Sequence, residues 1–424
     1  MFIEESIRKT KIAGEADVIV CGGGPAGTCA AIASARRGYS TMLIESGGCL
    51  GGIWTSGLMS FVIDFAGKEG ILKEILEKLE GMGVKGPKYT FDIEAVKYLL
   101  ETMCMEAGVK IRLHTRITGT VKDSNNKISH AITESKAGRE AWTAKIFIDC
   151  TGDGDLAALA GCGFDVGRQE NGEVQPMSMS ALIHGLDSEK IQDFLTGENR
   201  KTNLLRKFED NGISPSYSQP TLFEIYKDTF LMMSNHEYGV CAFDADAVTK
   251  ATISGRAEIY RQVKALKASG GNWKNIKLDA TSSYIGVREA RRIHGHYTVT
   301  LDDMIQGKIS EDSICMVNFG IDVHSTTSDN GRGYDAQGYK IKPYGIPLRS
   351  LIAKDIDGLL MAGRCISGDF YAHASYRVTG NATAMGEAAG IAATLSVKNK
   401  CLPQNLLWKE IAGEFKIPQG GKQA

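Results

Sequence analysis

Gly22, Gly24 and Gly27 stand at the spacing GxGxxG within Val18-Ile19-Val20-Cys21-Gly22-Gly23-Gly24-Pro25-Ala26-Gly27. Each has a task in holding a pyrophosphate: a tight turn, close approach of backbone to the anion, and close packing of helix on strand. Glu45 follows 18 residues after Gly27 (45 − 27), near the spacing of about 20 expected of an acid that accepts ribose hydroxyls. The same carboxylate would repel a 2′-phosphate, which disfavours NADP. Further along, Arg288, Arg291 and Arg292 occur in Val-Arg-Glu-Ala-Arg-Arg-Ile. On a helix their i, i+3, i+4 spacing gives them one face, where they could clamp a carboxylate; salt bridges to Glu289 or Asp302 are the competing use. The 10 cysteines form no CxxC pair and no zinc-ligand spacing, so no metal site is expected.

These residues need elements to position them. Ala16 to Cys21, apolar throughout from Val18 on, has the character of a strand buried on both faces, Pro25 suits a first helical turn, and Gly38 suits a left-handed cap. Thr41 to Glu45 supplies a second strand and completes a βαβ unit. Helical spacing predicts helices over 71–82 and 93–107. The segments 110–115, 116–121, 128–135 and 140–144 alternate like short antiparallel strands, and 145–150 reads as a buried strand. From about Gly163 to Asp279 the texture changes to mixed strands and amphipathic helices, including 245–268. The first style returns in 358–397, with an apolar strand, a glycine turn and an Ala-rich helix from Ala382.

Composition narrows the function classes. With 49 Lys plus Arg against 50 Asp plus Glu, the net charge of −1 offers no global field to nucleic acid or anionic lipid. No apolar run reaches the about 18 residues of a membrane span, the first residues are charged throughout, and Cys21 and Cys150 read as small hydrophobes of a reducing compartment. The expectation is a cytoplasmic protein with no nucleic-acid or membrane partner.

Four ordered blocks carry a resemblance: VIVCGGGPAGTCAAIASARRG with IESGGCLGG; FIDCTGDGDLAALAG; SYIGVREARRIHGHYTVTLDD; and YGIPLRSLI followed by LLMAGRCISGDFYAHASYRVTGNATAMGEAAGIAA. The chain resembles the FAD-dependent oxidoreductases (FAD_oxidored family) of the glutathione reductase-type flavoprotein superfamily. The resemblance implies an α/β fold: a Rossmann-like FAD-binding domain with central parallel sheet, β-meander and helices, and an inserted α+β substrate domain. The implied boundaries are 1–162 for the first part of the FAD domain, 163–280 for the substrate domain, and 281–424 for the second part with substrate-facing strands. The implied cofactor is FAD, held non-covalently. Gly22, Gly24, Pro25, Ala26 and Gly27 would hold its pyrophosphate and Glu45, with Ser46 beside it, the ribose. Gly51 and Gly52 would pass near the phosphates, and Ile117 would contact adenine through its backbone. Thr151, Gly152 and Asp153 would mark the strand end at the cofactor. Gly363 and Arg364 would make the second flavin contact, and a helix starting near Asn381 and Ala382 would aim its dipole at the pyrimidine edge.

The departures from that pattern matter. Cys49 stands without a CxxxxC partner, which argues against dithiol relay chemistry and leaves a covalent flavin link or a buried turn thiol. No second strand-flanked GxGxxG follows, so a separate electron donor or acceptor is implied. The candidate catalytic residues are His373, Arg377, His324 and Arg288. His373 and Arg377 lie between the two C-terminal flavin motifs and would stand beside the ring, or else pack under the loop. His324 ends an alternating segment, as an acid–base group or a solvated strand end. Tyr344 and Asn235 are pocket-lining candidates. The function implied is two-electron oxidation or reduction of a small organic substrate at flavin N5. The alternatives are an FAD monooxygenase, suggested by Asp153-Gly154, and a non-catalytic FAD-binding scaffold.

Overall fold

The computed structural model describes residues 3, 8–329, 331–335 and 338–415. Six strands, β1 (Lys11–Cys21), β2 (Thr41–Ile44), β3 (Lys110–Arg112), β4 (Arg116–Lys122), β5 (Ile128–Ser135) and β6 (Gly138–Asp149), form a sheet in the order β3-β2-β1-β6-β5-β4, and the strand Leu359–Met361 joins it on β6. β1 runs parallel to β2 and β6, and Leu359–Met361 runs parallel to the last residues of β6. β4, β5 and the first half of β6 make an antiparallel meander. The apolar runs lie where both sheet faces are covered: Val18, Ile19, Val20, Cys21, Phe147, Ile148, Leu359, Leu360 and Met361 have no exposed surface.

Three expectations about elements are corrected. Lys110–Arg112 is parallel to β2, not antiparallel, because the helix Ile93–Glu106 carries the chain back before it. The segments 140–144 and 145–150 are one strand, β6, which pairs parallel with β1 from Glu140 to Asp149 and, through its first half, also antiparallel with β5 in the meander. The Ala-rich C-terminal helix begins at Thr379 with Val378 as its cap, ahead of Ala382.

Helix α1 (Pro25–Arg36) ends as read, with Gly38 left-handed at φ 85°. It packs on the C-terminal helix Thr379–Asn399 backbone to backbone. A Cβ at Gly386 would lie 2.0 Å from the Ala26 carbonyl oxygen, and one at Gly390 2.4 Å from that of Ala30. Between these two ends of the chain sits a second sheet, wholly antiparallel, in the order Lys277–Thr281, Ser180–His184, Thr229–Met233, Thr221–Tyr226. The helix Ala245–Ala268 lays Ala251, Ile259, Val263 and Leu266 into a core with Met177, Met179, Phe230 and Met232, separate from the main one.

Candidate functional site

Strand register brings the chemistry together. Cys21 is paired with both Ile44 and Asp149, and Asp149 with Met361, so β1, β2, β6 and Leu359–Met361 end at one level. The turns after them all leave the carboxyl edge of the sheet, where ligands of open α/β sheets bind. In the first turn, Gly22 has φ +98°, and a Cβ there would stand 2.3 Å from the Cys150 carbonyl oxygen. A Cβ at Gly27 would stand 1.8 Å from the Gly22 oxygen, yet one at Gly24 would meet nothing within 4 Å. Helix α1 starts at Pro25 with no side-chain cap. The N–H groups of Ala26 and Gly27 therefore face this open side without a protein acceptor among the described residues. Such an open helix end can receive an anion.

Glu45 closes one side of it. Its Oε2 accepts the Gly23 N–H at 2.6 Å and its Oε1 the Gly47 N–H at 2.6 Å, with the Ser46 hydroxyl at 3.1 Å. The Gly51 N–H donates to the Gly23 oxygen at 2.8 Å, and a Cβ at Gly52 would come 2.9 Å from the Gly24 Cα, so this turn lies against the glycine loop. Ile117 on β4 comes two residues after Thr115, whose N–H donates to the Glu45 carbonyl at 2.9 Å. Cys49 is half-buried rather than buried, with its Sγ 3.4 Å from the Ser56 hydroxyl.

On the other side, Arg364 Nη2 pairs with Asp153 Oδ1 at 2.7 Å, joining two turns 211 residues apart. Gly152 makes room for it, since a Cβ there would lie 2.8 Å from that nitrogen. Gly363 faces α1, where a Cβ would stand 3.4 Å from that of Ala26. Thr151 turns inward: its hydroxyl donates to Asp149 Oδ1 at 2.7 Å and accepts the Asp155 N–H at 2.8 Å. Asp149, which the sequence reading passed over, organises this turn, accepting also from the N–H groups of Thr151 and Ala157. Burial pushes its carboxyl up to about 6, against those hydrogen bonds. The signal was present as a lone acid at the end of the apolar run Ile-Phe-Ile-Asp. Asn381 lies fully buried in the first turn of the C-terminal helix, beside Ala382, with Nδ2 unpartnered; Arg364 Nη1 is likewise buried and unpartnered.

The three arginines of 288–292 do not share a helical face, because this segment is not helical: Gly286 bridges to Ser178, and Arg292–Ile293 pairs with Phe164–Asp165. They part company. Arg291 Nη1 binds Asp155 at 2.9 Å, and Arg292 binds Glu289 and the carbonyls of Gly167 and Gly368. Arg288 Nη1 donates to the Pro176 carbonyl and the Ser178 hydroxyl, each at 2.7 Å. Asp302 pairs with none of them among the described residues, whereas Glu289 does serve.

Arg288 meets the remaining candidates. Arg377 Nη2 donates to the Asp322 carbonyl at 2.8 Å and lies 3.2 Å from its carboxylate, which also stands 3.4 Å from His324 Nε2. His324 is 5% exposed, not solvated, and belongs to an isolated bridge with Tyr334 rather than a strand. Burial, then the charge of Arg288, pushes its imidazole down to about 3. His236, a further residue that sequence reasoning missed although its neighbour Asn235 was named, lies tilted over Tyr217 with ring centroids 4.1 Å apart and meets His324 edge-on at 4.9 Å. Burial and then Arg288 hold it neutral as well. His373, wholly buried in the helix Phe370–Tyr376, is kept neutral by burial and by Arg292, Arg377 and Arg364. Burial, eased by Asp322, brings Arg377 to about 10. Gln175 Nε2, His236 Nε2, His324 Nδ1, His373 Nδ1 and Arg377 Nε all lack a protein partner. Asn235 is buried with its amide engaged: Oδ1 accepts the Met179 N–H, and Nδ2 donates to Glu237 and Glu258. Tyr344 is wholly buried in the main core.

A model of the FAD dependent oxidoreductase family matches residues 17–415, across the turns just described. The chain belongs to that family. FAD is its cofactor. The donor set suits a dinucleotide: an uncapped helix end beside the open side of Gly24, a carboxylate at the next strand end, and the orphaned Arg364 Nη1 and Asn381 Nδ2 at the facing turn. Among curated relatives, a thiamine thiazole synthase from Methanococcus vannielii is 31% identical over 176 residues, covering 38% of this chain and 65% of that one. A digeranylgeranylglycerophospholipid reductase from Methanocella arvoryzae is 28% identical, covering 33% of this chain and 39% of that one. The chain thus spans less than two thirds of the length of the curated relatives it matches. Among solved structures, a geranylgeranyl bacteriochlorophyll reductase-like protein from Thermoplasma acidophilum aligns at TM-score 0.49 and 13% identity, over 95% of this chain and 84% of that one. The flavin-dependent brominase Bmp2 aligns at 0.48 and 12%, over 94% and 82%. Among the described residues no helix is long and apolar enough to cross a membrane, and no group of three or more metal-binding side chains occurs.

Proposed function

We propose that this chain carries out a two-electron oxidation or reduction of a small organic molecule, bound against FAD on the side walled by Arg288, His324, His373 and Arg377. The observation that carries the reading is the run of buried, unpartnered polar atoms that continues from Arg364 through His373 and Arg377 to His324 and His236. Buried polar groups without partners are uncommon and call for a ligand or water. Gly22, Gly24, Pro25, Ala26 and Gly27 would hold the pyrophosphate on the α1 N-terminus, and Glu45 and Ser46 the ribose. Gly51, Gly52 and Ile117 would flank the adenosine half, and Thr151, Gly152, Asp153, Gly363, Arg364, Asn381 and Ala382 the flavin half.

Bound FAD supplies the capacity to take or give a hydride equivalent. The protein's own groups place the substrate and manage its proton. Arg377 is fixed by Asp322 and Gln175, so it presents a set positive charge rather than a mobile one. His324 and His373 are neutral at ordinary pH and can each donate or accept a proton at Nδ1, which no protein group occupies. A separate electron donor or acceptor completes the cycle.

Anaerobic mixing of the purified protein with a panel of small metabolites tests this reading. The expected result is bleaching of the flavin absorbance by one reductant class, or its return from the photoreduced form with one acceptor class. A protein that neither carries FAD nor takes it up on reconstitution would overturn it.

A further inference from the structure

We propose that the substrate bears a single carboxylate and that Arg288 receives it; this rests on the redox reading above. Several arginines surround this part of the molecule, and four have a carboxylate of their own, while Arg332, near Tyr238, is spent on Ser214 Oγ and the Pro215 carbonyl. Arg364 pairs with Asp153, Arg291 with Asp155, Arg292 with Glu289 and Arg377 with Asp322. Arg288 has none among the described residues. Its Nη1 is held by two neutral oxygens, of Pro176 and Ser178, which fix the side chain without neutralising it. Nε and Nη2 have no protein acceptor among the described residues, so one edge of the guanidinium is left with the two parallel N–H groups that match a carboxylate. A partly buried cation without a counter-charge is costly, and an anionic ligand removes that cost.

The surroundings point to the same chemistry. Arg288 faces the phenols of Tyr217, Tyr334 and Tyr238, and Asp322, whose carboxylate is already shared between Arg377 and His324. With both histidines neutral, Arg288 and Arg377 less Asp322 leave a formal charge of +1, and Arg332 and Glu258, which also act on Tyr238, offset each other; one monoanion balances that charge and a phosphate dianion exceeds it. His236 Nε2, His324 Nδ1 and Gln175 Nε2 are buried beside it without partners, and can hydrogen-bond a second polar group of the same molecule. An apolar substrate would leave all of these unanswered.

The test uses the FAD-loaded protein and needs no turnover. Benzoate and benzamide share a shape and differ in charge, and each is titrated while the oxidised flavin spectrum and the melting temperature are followed, with inorganic phosphate as a third probe. Benzoate is expected to perturb the spectrum and raise the melting temperature, with at least tenfold weaker effects from benzamide and phosphate. Arg288→Gln is expected to weaken benzoate at least tenfold with FAD affinity unchanged, and Arg288→Lys to retain part of it. Equal binding of benzoate and benzamide, no binding of either, phosphate binding as tight as benzoate, or full benzoate affinity in Arg288→Gln would each overturn the proposal while leaving the flavoenzyme reading intact. Should the glutamine variant fail to fold, the three probes on the unmodified protein decide. Failure to hold FAD at all would instead count against the redox reading.

Discussion

Among single residues, the three motif glycines separate folding from cofactor binding. Gly24 has φ −69°, which any residue adopts, and open space where a Cβ would go. Gly24→Ala is therefore expected to leave stability within about 0.5 kcal/mol, since it meets nothing. It is expected to weaken FAD binding more than about tenfold, because the methyl occupies the approach to the α1 N-terminus. Gly27→Ala puts its methyl 1.8 Å from a backbone oxygen, which no rotamer relieves, so loss of the folded state is expected. Thermal melts with FAD titrations on both variants check this; equal losses of affinity and stability in Gly24→Ala would refute it. Glu45 is tested alongside: Glu45→Ala removes two charge-assisted bonds, each worth about 1.5–3 kcal/mol, from the Gly23 and Gly47 N–H groups. A fall in FAD affinity of about ten- to a hundredfold is expected. Such residues were legible in the sequence because their roles are local, set by a strand, a turn and a helix within 30 positions. Asp322, Gln175 and His236 were not, because nothing near them in the chain shows that they meet Arg377 and His324.

For the elements, legibility followed how far each depends on distant pairing. The helix Ala245–Ala268 matches its spacing to the residue, because a long amphipathic period needs no outside help. The segment Val-Arg-Glu-Ala-Arg-Arg-Ile has helical spacing yet forms no helix, since Gly286 and Arg292 are drawn into bridges with residues 178 and 165, more than a hundred positions away. The strand Lys110–Arg112 alternates like an edge of the meander but takes its direction from the helix before it. The crossing of α1 with the C-terminal helix was visible only as an Ala- and Gly-rich composition. Its geometry makes a sharp prediction. Gly386→Val must force the helices apart, as its Cβ falls 2.0 Å from the Ala26 oxygen, and a loss of more than about 3 kcal/mol is expected. Leu395→Ala, in the same helix and almost wholly buried, removes volume instead and should cost about 2–5 kcal/mol, as cavity formation does. Chemical denaturation of both separates overpacking from cavity: FAD affinity should fall in the first, where the helix beside the glycine loop is displaced, and hold in the second.

At the scale of the whole molecule, the two ends of the chain share one sheet, and His236, His324 and His373 are buried together with arginines from distant segments. That burial is why the three imidazoles are neutral in the fold, and it ties stability to pH. Their pKa values lie below 6.5 in the folded state, so as pH falls below 6.5 the unfolded chain binds protons that the folded chain refuses. Stability is therefore full above 6.5 and is lost as pH falls toward the about 3 of His324. Three such groups approach a slope of about 4 kcal/mol per pH unit, at about 1.4 each. Asp149 acts oppositely: with its carboxyl raised to about 6 it binds a proton first in the fold, adding stability as pH falls through that value. Burial also raises the carboxyls of Asp155, Glu237, Glu289 and Asp369, though less far than Asp149, so the three histidines stay in control between pH 7 and 5.5, and the melting temperature should fall across this range with net proton uptake on unfolding. His236→Gln, which keeps a polar side chain but cannot titrate, should flatten the slope by about a third of the three-histidine total. Calorimetric melts in two buffers of different ionisation enthalpy measure the uptake directly. A melting temperature that stays level from pH 7.5 to 5.5 would mean that water reaches these imidazoles, and that the face on which the substrate is proposed to lie is not dry.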